Sequence, residues 1–207
     1  MSFGGLLPPG IFPRDILLYW DGGPADRNSK TAFTDTDTVS YKNINRAISK
    51  TFDGVTSKID AGTNNLGDGD ATVCFWLNPI GEGTTRYIIG NGSLIVGLDE
   101  TNDTIIGTSN GGSTIIFSAT NGYTLGTNKF YCLTRPSGGA NCNFYANGVL
   151  SGDANQDSGT PAAGVSNTTI GNDSSGSLPI NAYLGHIRVF SKLLTVEQIG
   201  WLYNKEK

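Results

Sequence analysis

Short runs in which apolar and polar residues alternate recur along most of this chain, and turn-forming residues separate them. Strict alternation is the pattern of a strand with one buried face, and Gly, Asn, Asp and Pro mark the turns between such runs. The clearest run is DATVCFWLNP, which is rich in β-branched and aromatic residues and ends at a proline. The predicted strands lie at 15–20, 48–54, 57–62, 70–79, 86–99 (two), 103–119 (two), 128–150 (three), 166–173 and 185–190.

The spacing of these strands, about 8 to 12 residues, is typical of a sandwich or jelly roll. We interpret the runs at 48–54 and 57–62 as a hairpin, and residues 21–47 as a long, irregular polar loop. The segment 151–166 also has a loop-like composition, but it lies inside the strand pattern and does not divide the chain.

Near the end of the sequence, the spacing of the apolar residues changes from a period of two residues to a period of about 3.6 residues. Thr195 and Gln198 have the spacing of a capping box, which marks the start of a helix. Val196, Ile199 and Tyr203 then fall on one helical face. The sequence therefore predicts one short C-terminal helix on a chain that is otherwise all-β.

The amino-acid composition excludes several classes of binding partner. Charged residues make up 15% of the 207 residues, the net charge is −4, and no basic run is present. Nucleic acid is therefore not an expected partner, because phosphate binding needs clustered Lys and Arg. No stretch reaches the roughly 18 apolar residues of a membrane helix, so no membrane partner is expected. The first 15 residues lack the basic and apolar regions of a signal peptide, so we expect the protein to be made in the cytosol.

Two parts of the chain are predicted: an N-terminal arm at 1–14 and a single domain at 15–207. The arm is apolar and rich in proline, too short to fold alone, and suited to lying along a neighbouring protein surface. The residues expected to make that contact are Phe3, Leu6, Leu7, Ile11 and Phe12.

The three cysteines allow two interpretations. Cys132 and Cys142 flank a turn and would form a disulfide if their strands were adjacent. Alternatively, they and Cys74 are small buried hydrophobic residues that stay reduced.

The sequence does not place acidic residues or the histidine at the spacings that the usual catalytic sites need. Glycoside hydrolysis needs paired carboxylates, and no strand carries acids at alternate positions. Asp68, Asp70, Asp99 and Asp103 fit solvated turns. His186, the single histidine, alternates within a predicted strand without an evident partner. We therefore expect the protein not to be an enzyme.

Several segments, in this order, resemble a known family. They are TFDGVTSKIDAG, GDATVCFWLNP, KFYCLTRPSGG, NFYANGVL, NTTIGND and YLGHIRVFSKLLTVEQIGWLY. Together they resemble a laminin G-like domain of the concanavalin A-like lectin/glucanase superfamily, over about residues 48–204. The resemblance implies an antiparallel two-sheet jelly-roll sandwich. It also implies that the last long strand lies beside the first, and that the helix packs near the open side and covers a sheet edge.

Many laminin G-like domains bind Ca²⁺, an ion that prefers six to eight oxygen ligands. Here the weak candidates are Asp21, Asp26, Asn28, Asp35 and Asp37. The family often places a further Asp just before the last strand, where this chain has Gly185 and His186. A calcium site and ordinary turn chemistry both remain open, and no other cofactor is expected.

A sugar site would need an exposed aromatic ring and amide or carboxylate groups for the hydroxyls. The candidates are Tyr87, Asn110, Asn121 and Tyr123, which lie near predicted loops or strand ends. The alternative is that these aromatic rings fill the core, as we expect for Trp20 and Trp76.

The sequence favours a non-enzymatic structural or adhesive module. We expect a virion surface component, such as a phage capsid decoration, fibre or tail protein. It would bind copies of itself or other virion proteins and contact host glycans. The alternative is a free-standing lectin module, with or without Ca²⁺.

Overall fold

The computed structural model is a sandwich of two antiparallel sheets with one C-terminal helix, α1 (Val196–Glu206). The fold class predicted from the sequence is therefore confirmed. The structure describes residues 7–20, 34–36, 41–44, 47–63, 66, 68–81, 86–92, 94–99, 103–109, 113–116, 122–156 and 167–207.

Sheet A has eight strands in the order β13-β12-β11-β6-β15-β4-β3, and β1 pairs with β15 in addition. The last long strand thus lies beside the first, as the family resemblance implied. Its strands are β1 (Ile16–Trp20), β3 (Tyr41–Ile44), β4 (Ala47–Asp53), β6 (Ala71–Pro79), β11 (Lys129–Arg135), β12 (Cys142–Ala146), β13 (Val149–Gln156) and β15 (Asn181–Phe190).

Sheet B has seven strands in the order β10-β9-β8-β7-β14-β5-β2. Its strands are β2 (Thr34–Thr36), β5 (Lys58–Thr63), β7 (Arg86–Gly90), β8 (Leu94–Asp99), β9 (Thr104–Ser109), β10 (Ser113–Ile116) and β14 (Asn167–Ile170). The two predicted hairpins, β7–β8 and β9–β10, both form.

Two predictions about local structure are wrong. The runs at 48–54 and 57–62 do not form a hairpin, because β4 pairs with β15 in sheet A whereas β5 pairs with β14 in sheet B. The chain crosses between the layers there, and both strands bury residues in the same core, so their alternation looks like that of a hairpin. The predicted irregular loop at 21–47 also contains β2 and β3, and β4 begins at its end.

The core between the sheets is filled by the inward side chains of both layers, including Phe52, Ile59, Phe75 and Leu98. β6 is buried on both faces: Val73, Phe75 and Leu77 belong to this core, whereas Cys74 and Trp76 point into a second cluster. The expectation that Trp76 is buried is confirmed, and the ring lies on the outer face of sheet A.

We call this second group the outer cluster. It packs α1 against the outer face of sheet A. Its buried members are Ile11, Ile16, Tyr19, Cys74, Trp76, Phe130, Cys132, Tyr145, Phe190, Leu194, Ile199 and Leu202. The helix therefore packs over the central strands β6 and β11, and it also contacts β13, the edge strand of sheet A.

The predicted capping box is present at the start of α1. The Gln198 amide donates to the Thr195 hydroxyl at 3.3 Å, and the Thr195 amide donates to Gln198 Oε1 at 3.0 Å. The buried face of the helix is Ile199, Leu202 and Glu206, whereas Val196 is 46% exposed. Of the predicted face, Ile199 is buried and Tyr203 packs partly buried against the outer cluster, whereas Val196 is not buried. The buried face also includes a carboxylate.

Glu206 is the central polar residue beneath α1. Its Oε2 accepts a hydrogen bond from Trp76 Nε1 at 2.8 Å and lies 3.2 Å from His186 Nδ1, while its Oε1 forms an ion pair with Arg188. Arg188 is 1% exposed, and its guanidinium carbon lies 4.8 Å from the centre of the Tyr19 ring. Burial opposes the charge of Glu206, but Arg188, His186 and Trp76 together lower the pKa of this carboxyl below its ordinary value.

A bulge in β15 brings His186 and Arg188 to this position. The pairing of β15 with β6 shifts between Gly185 and Arg188, and His186 has a φ of 46°. At a bulge, the extra residue changes the direction in which the neighbouring side chains point. His186 consequently has the structural role expected for a lone strand histidine.

The described part of the N-terminal arm packs on the chain's own sandwich. Ile11 is buried in the outer cluster, Leu7 packs against it, and Gln198 Nε2 donates to the Pro9 carbonyl at 2.8 Å. Phe12 is 50% exposed. Phe3 and Leu6 lie outside the described residues, so binding of the arm to another protein stays a prediction.

The possible disulfide between Cys132 and Cys142 does not form, and none of the three cysteines is part of a disulfide. Cys132 pairs across the sheet with Tyr145, three residues from Cys142. Cys132 lies in the outer cluster and Cys142 in the core between the sheets, so the two side chains are on opposite faces of sheet A.

Replacing Glu206 by glutamine should destabilise the fold by about 3–5 kcal/mol, because removal of one partner leaves the Arg188 charge buried without its counterion. The pKa of Glu206 is lowered on folding, so its charge contributes stability that is complete above the ordinary value of 4.5 and declines as the pH falls below it. Urea unfolding of Glu206→Gln should therefore depend less on pH in this range than that of the wild type.

The matched control is Glu197→Gln, the same change at an exposed position in the first turn of α1. Equal unfolding midpoints for the two variants would contradict the structural role of Glu206.

Candidate functional site

A pocket lies where the loop before β11 meets the turn between β8 and β9. Asp103, Tyr123, Thr124 and Leu125 line this pocket, which has a volume of about 330 Å³, and we call it the Tyr123 pocket. The Tyr123 ring is 6% exposed, whereas Leu125 is 39% exposed. Asp103 is exposed and adopts a φ of 52°, which turns the chain sharply into β9.

The loop that carries three of these residues is held by the central strands of sheet A. The Gly126 amide donates to the Pro79 carbonyl at the end of β6 at 2.8 Å. Lys129 Nζ donates to the Gly122 carbonyl at 3.0 Å, and the Thr127 amide donates to the Thr124 carbonyl at 3.0 Å. These hydrogen bonds fix the loop to sheet A, and a loop that is ordered in advance lowers the entropic cost of binding.

The groups in the Tyr123 pocket suit recognition of a polar ligand. Asp103 offers carboxylate oxygens, Thr124 a hydroxyl group, and Leu125 an apolar surface. Among the lining residues that the structure describes, Asp103 carries a carboxylate.

A second depression lies between the N-terminal segment and α1, with a volume of about 370 Å³. It is lined by Pro9, Thr195, Glu197, Gln198 and Trp201. The polar groups of Thr195 and Gln198 bond to each other in the capping box, and Gln198 also bonds to Pro9. Thr195 and Gln198 are thus engaged within the chain, and Glu197 and Trp201 complete the lining.

The four predicted sugar-binding residues do not all have the positions expected of ligand-binding residues. Tyr123 lines a pocket, but its ring is 6% exposed and belongs to the core between the sheets, so it does not present the exposed ring that was expected. Tyr87 is 3% exposed, and burial raises the pKa of its hydroxyl well above the ordinary value. The expectation that Tyr87 presents a ring to a sugar is corrected, because its ring is buried. Asn110 and Asn121 lie outside the described residues.

The calcium candidates fall mostly outside the described residues. This is so for Asp21, Asp26, Asn28 and Asp37, whereas the backbone of Asp35 lies in β2 opposite Ile59. Within the part of the chain that the structure describes, no group of three or more His, Cys, Asp or Glu side chains is placed to hold a metal ion. The calcium site stays a prediction.

Sequence reasoning did not select Asp103, Thr124 or Leu125 for the ligand site. Asp103 was expected to be a solvated turn residue, and its exposure agrees with that. What the sequence does contain is the segment NGYTLGT, in which glycines flank an aromatic, a hydroxyl and an aliphatic residue. The contribution of Asp103 comes from the sheet topology, which brings a distant turn to this loop.

In the ranges described here, the structure contains no helix with the length and apolarity needed to cross a membrane.

Comparison with solved structures identifies the same fold in proteins of low sequence identity. Domain 4 of AbnA, an extracellular arabinanase from Geobacillus stearothermophilus solved with arabinotriose, is 16% identical with a TM-score of 0.71. The alignment covers 91% of this chain and 98% of that domain. The botulinum neurotoxin serotype D binding domain is 16% identical with a TM-score of 0.72, and the alignment covers 94% of this chain.

The chain spans about half of the neurotoxin binding domains that it matches: 52% for serotype D and 53% for type C. The type C structure is of a neurotoxin whose cell entry depends on interaction with two ganglioside molecules. It is 16% identical, has a TM-score of 0.71, and the alignment covers 100% of this chain. No curated protein matches the sequence.

A family model gives the assignment. The model described as the concanavalin A-like lectin/glucanases superfamily, of the laminin G type, matches residues 53–200. This range runs from the end of β4 into α1 and covers well over half of the chain. The protein belongs to the laminin G-type family of the concanavalin A-like lectin/glucanases superfamily.

Proposed function

We propose that this protein is a non-catalytic binding module whose ligand is a carbohydrate held at the Tyr123 pocket. The observation that carries the proposal is the pocket itself, which combines the Asp103 carboxylate, the Thr124 hydroxyl and the apolar Leu125 above a buried tyrosine. Two structural neighbours support the ligand class, since one was solved with arabinotriose and another is described with gangliosides.

Sugars suit this combination of groups. Hydroxyl groups of a sugar donate hydrogen bonds to a carboxylate, and a hydrogen bond to a charged acceptor is stronger than one to a neutral group. The C–H face of the same ring packs on apolar side chains such as Leu125. The volume of about 330 Å³ is at the lower end of the range for ligand pockets, so we expect the pocket to bind one end of a glycan.

The position of the pocket also supports binding of a large ligand. It lies at the end of β6, where loops from both sheets meet, and Asp103 and Thr124 are exposed. A glycan chain can therefore extend from the pocket into solvent. Such an open site suits a module that recognises chain ends on a surface.

Asp103→Asn should weaken glycan binding at least about tenfold, because a hydrogen bond to a charged group contributes roughly 1.5–3 kcal/mol. Leu125→Ala should weaken it as well, through loss of apolar contact. A glycan array should first select the ligand, and calorimetry should then compare the variants.

Asp68→Asn is the matched control, since it removes the same charge at an exposed position near the opposite end of β6. Equal binding by all variants, or absence of any glycan signal at high protein concentration, would contradict the proposal.

A second function, attachment to a virion, is favoured by the N-terminal segment. Phe12 is 50% exposed although its neighbours Ile11 and Asp15 are buried. The guanidinium of Arg14 lies 4.8 Å and the ammonium of Lys192 lies 5.9 Å from the centre of its ring. An aromatic side chain held in the open between cations is a common anchor at protein interfaces. In this proposal the protein is made in the host cytoplasm and sits on a phage particle.

Phe12→Ala should leave the melting temperature near that of the wild type and reduce co-sedimentation with particles. Val55→Ala changes a 66% exposed side chain in the turn after β4 and serves as the control. Normal incorporation of the Phe12 variant would count against this segment as the anchor.

A further inference from the structure

We infer that Cys74 and Cys132 form a redox modification site, at which a disulfide can link β6 to β11 beneath α1. The two residues are directly opposite in the antiparallel pair β6–β11, and their Sγ atoms are 2.7 Å apart. Opposed residues in antiparallel strands have Cα atoms about 4.5–5.5 Å apart, which lies within the range of about 4.4–6.8 Å found for disulfides. The backbone therefore needs little movement to accept the bond.

The third cysteine is excluded from this site by its position. The Cys142 thiol donates to the Gly139 carbonyl at 3.2 Å, and its side chain belongs to the core between the sheets. Cys74 and Cys132 lie in the outer cluster, on the other face of sheet A. All three cysteines of the chain are described, so Cys74 and Cys132 are each other's partner for a bond within one molecule.

The site is closed in the reduced protein. Cys74 and Cys132 are both 0% exposed, and Ile199 and Leu202 of α1 belong to the same cluster. Burial, together with the neighbouring Cys74, raises the pKa of the Cys132 thiol well above its ordinary value. The thiolate is the reactive form, so the reaction requires a partial opening of α1 that admits water and oxidant.

Hydrogen peroxide is a suitable oxidant because it is small. One cysteine thiolate attacks a peroxide oxygen, and this forms a sulfenic acid and releases hydroxide. The second sulfur then attacks the sulfenic sulfur, the S–S bond forms, and the hydroxyl group leaves as water. In total two thiols and one peroxide give one disulfide and two water molecules, and both electrons pass from sulfur to the peroxide.

The bond would connect residues separated by 58 positions in the sequence. A cross-link of this kind restricts the unfolded chain and so favours the folded state. The site would therefore make the module more resistant to unfolding under oxidising conditions, and a thiol reductant would reverse the effect.

The direct test is peptide mapping of the native wild-type protein after treatment with peroxide, with free thiols blocked before digestion without reductant. We expect a linked pair of peptides containing Cys74 and Cys132, a mass loss of two hydrogens, and a Cys142 that still reacts with an alkylating reagent after denaturation. Cys142→Ser should keep the link, and Cys132→Ala should remove it. The oxidised wild type should unfold at a higher urea concentration than the reduced protein.

A separate measurement tests whether α1 covers the two cysteines. Glu206→Gln removes the charge that holds the helix end, so the link should form faster in this variant than in Glu197→Gln. Three results would overturn the inference: a link that includes Cys142, oxidation of Cys74 or Cys132 to the sulfinic acid without a link, or a lower urea midpoint after the link has formed. Equal rates in the two glutamine variants would overturn the role assigned to the helix.

Discussion

The buried ion pair between Glu206 and Arg188 fixes α1 to the sandwich, and the outer face of sheet A depends on it. An isolated helix of eleven residues is marginal in water, and only Ile199 and Leu202 supply fully buried apolar contacts from α1. The Glu206 carboxylate adds a bond to Trp76 in β6 and the contact with Arg188 in β15. Two central strands and the helix end are thus joined at one charged group.

Much of the fold could be predicted from the sequence because local patterns encode it. The alternation in β6 and the capping box at Thr195 each depend on residues a few positions apart, and both are present in the structure. The wrong predictions concern relations between distant segments. Alternation cannot show that β4 and β5 lie in different sheets. Glu206 lies between Lys205 and Lys207 in the sequence, and nothing local indicates that it is buried.

The candidate site was predictable to a smaller extent. Tyr87 and Tyr123 were both selected because they lie near predicted loops or strand ends, and both rings are buried. Asp103 lies in the β8–β9 turn of sheet B and reaches the loop before β11 of sheet A because the two sheets pack together, which no local pattern reports. The cysteines show the same limit: the turn near Cys142 suggested one pairing, whereas the register of β6 and β11 places Cys74 opposite Cys132.

The Glu206 contact is what holds α1 closed on sheet A. Native-state hydrogen exchange on the wild type and Glu206→Gln measures this directly, amide by amide. The account predicts that the amides of α1 lose most of their protection in the variant, whereas those of β6 and β11 remain among the slowest to exchange. Unchanged protection of α1 in the variant would contradict the account.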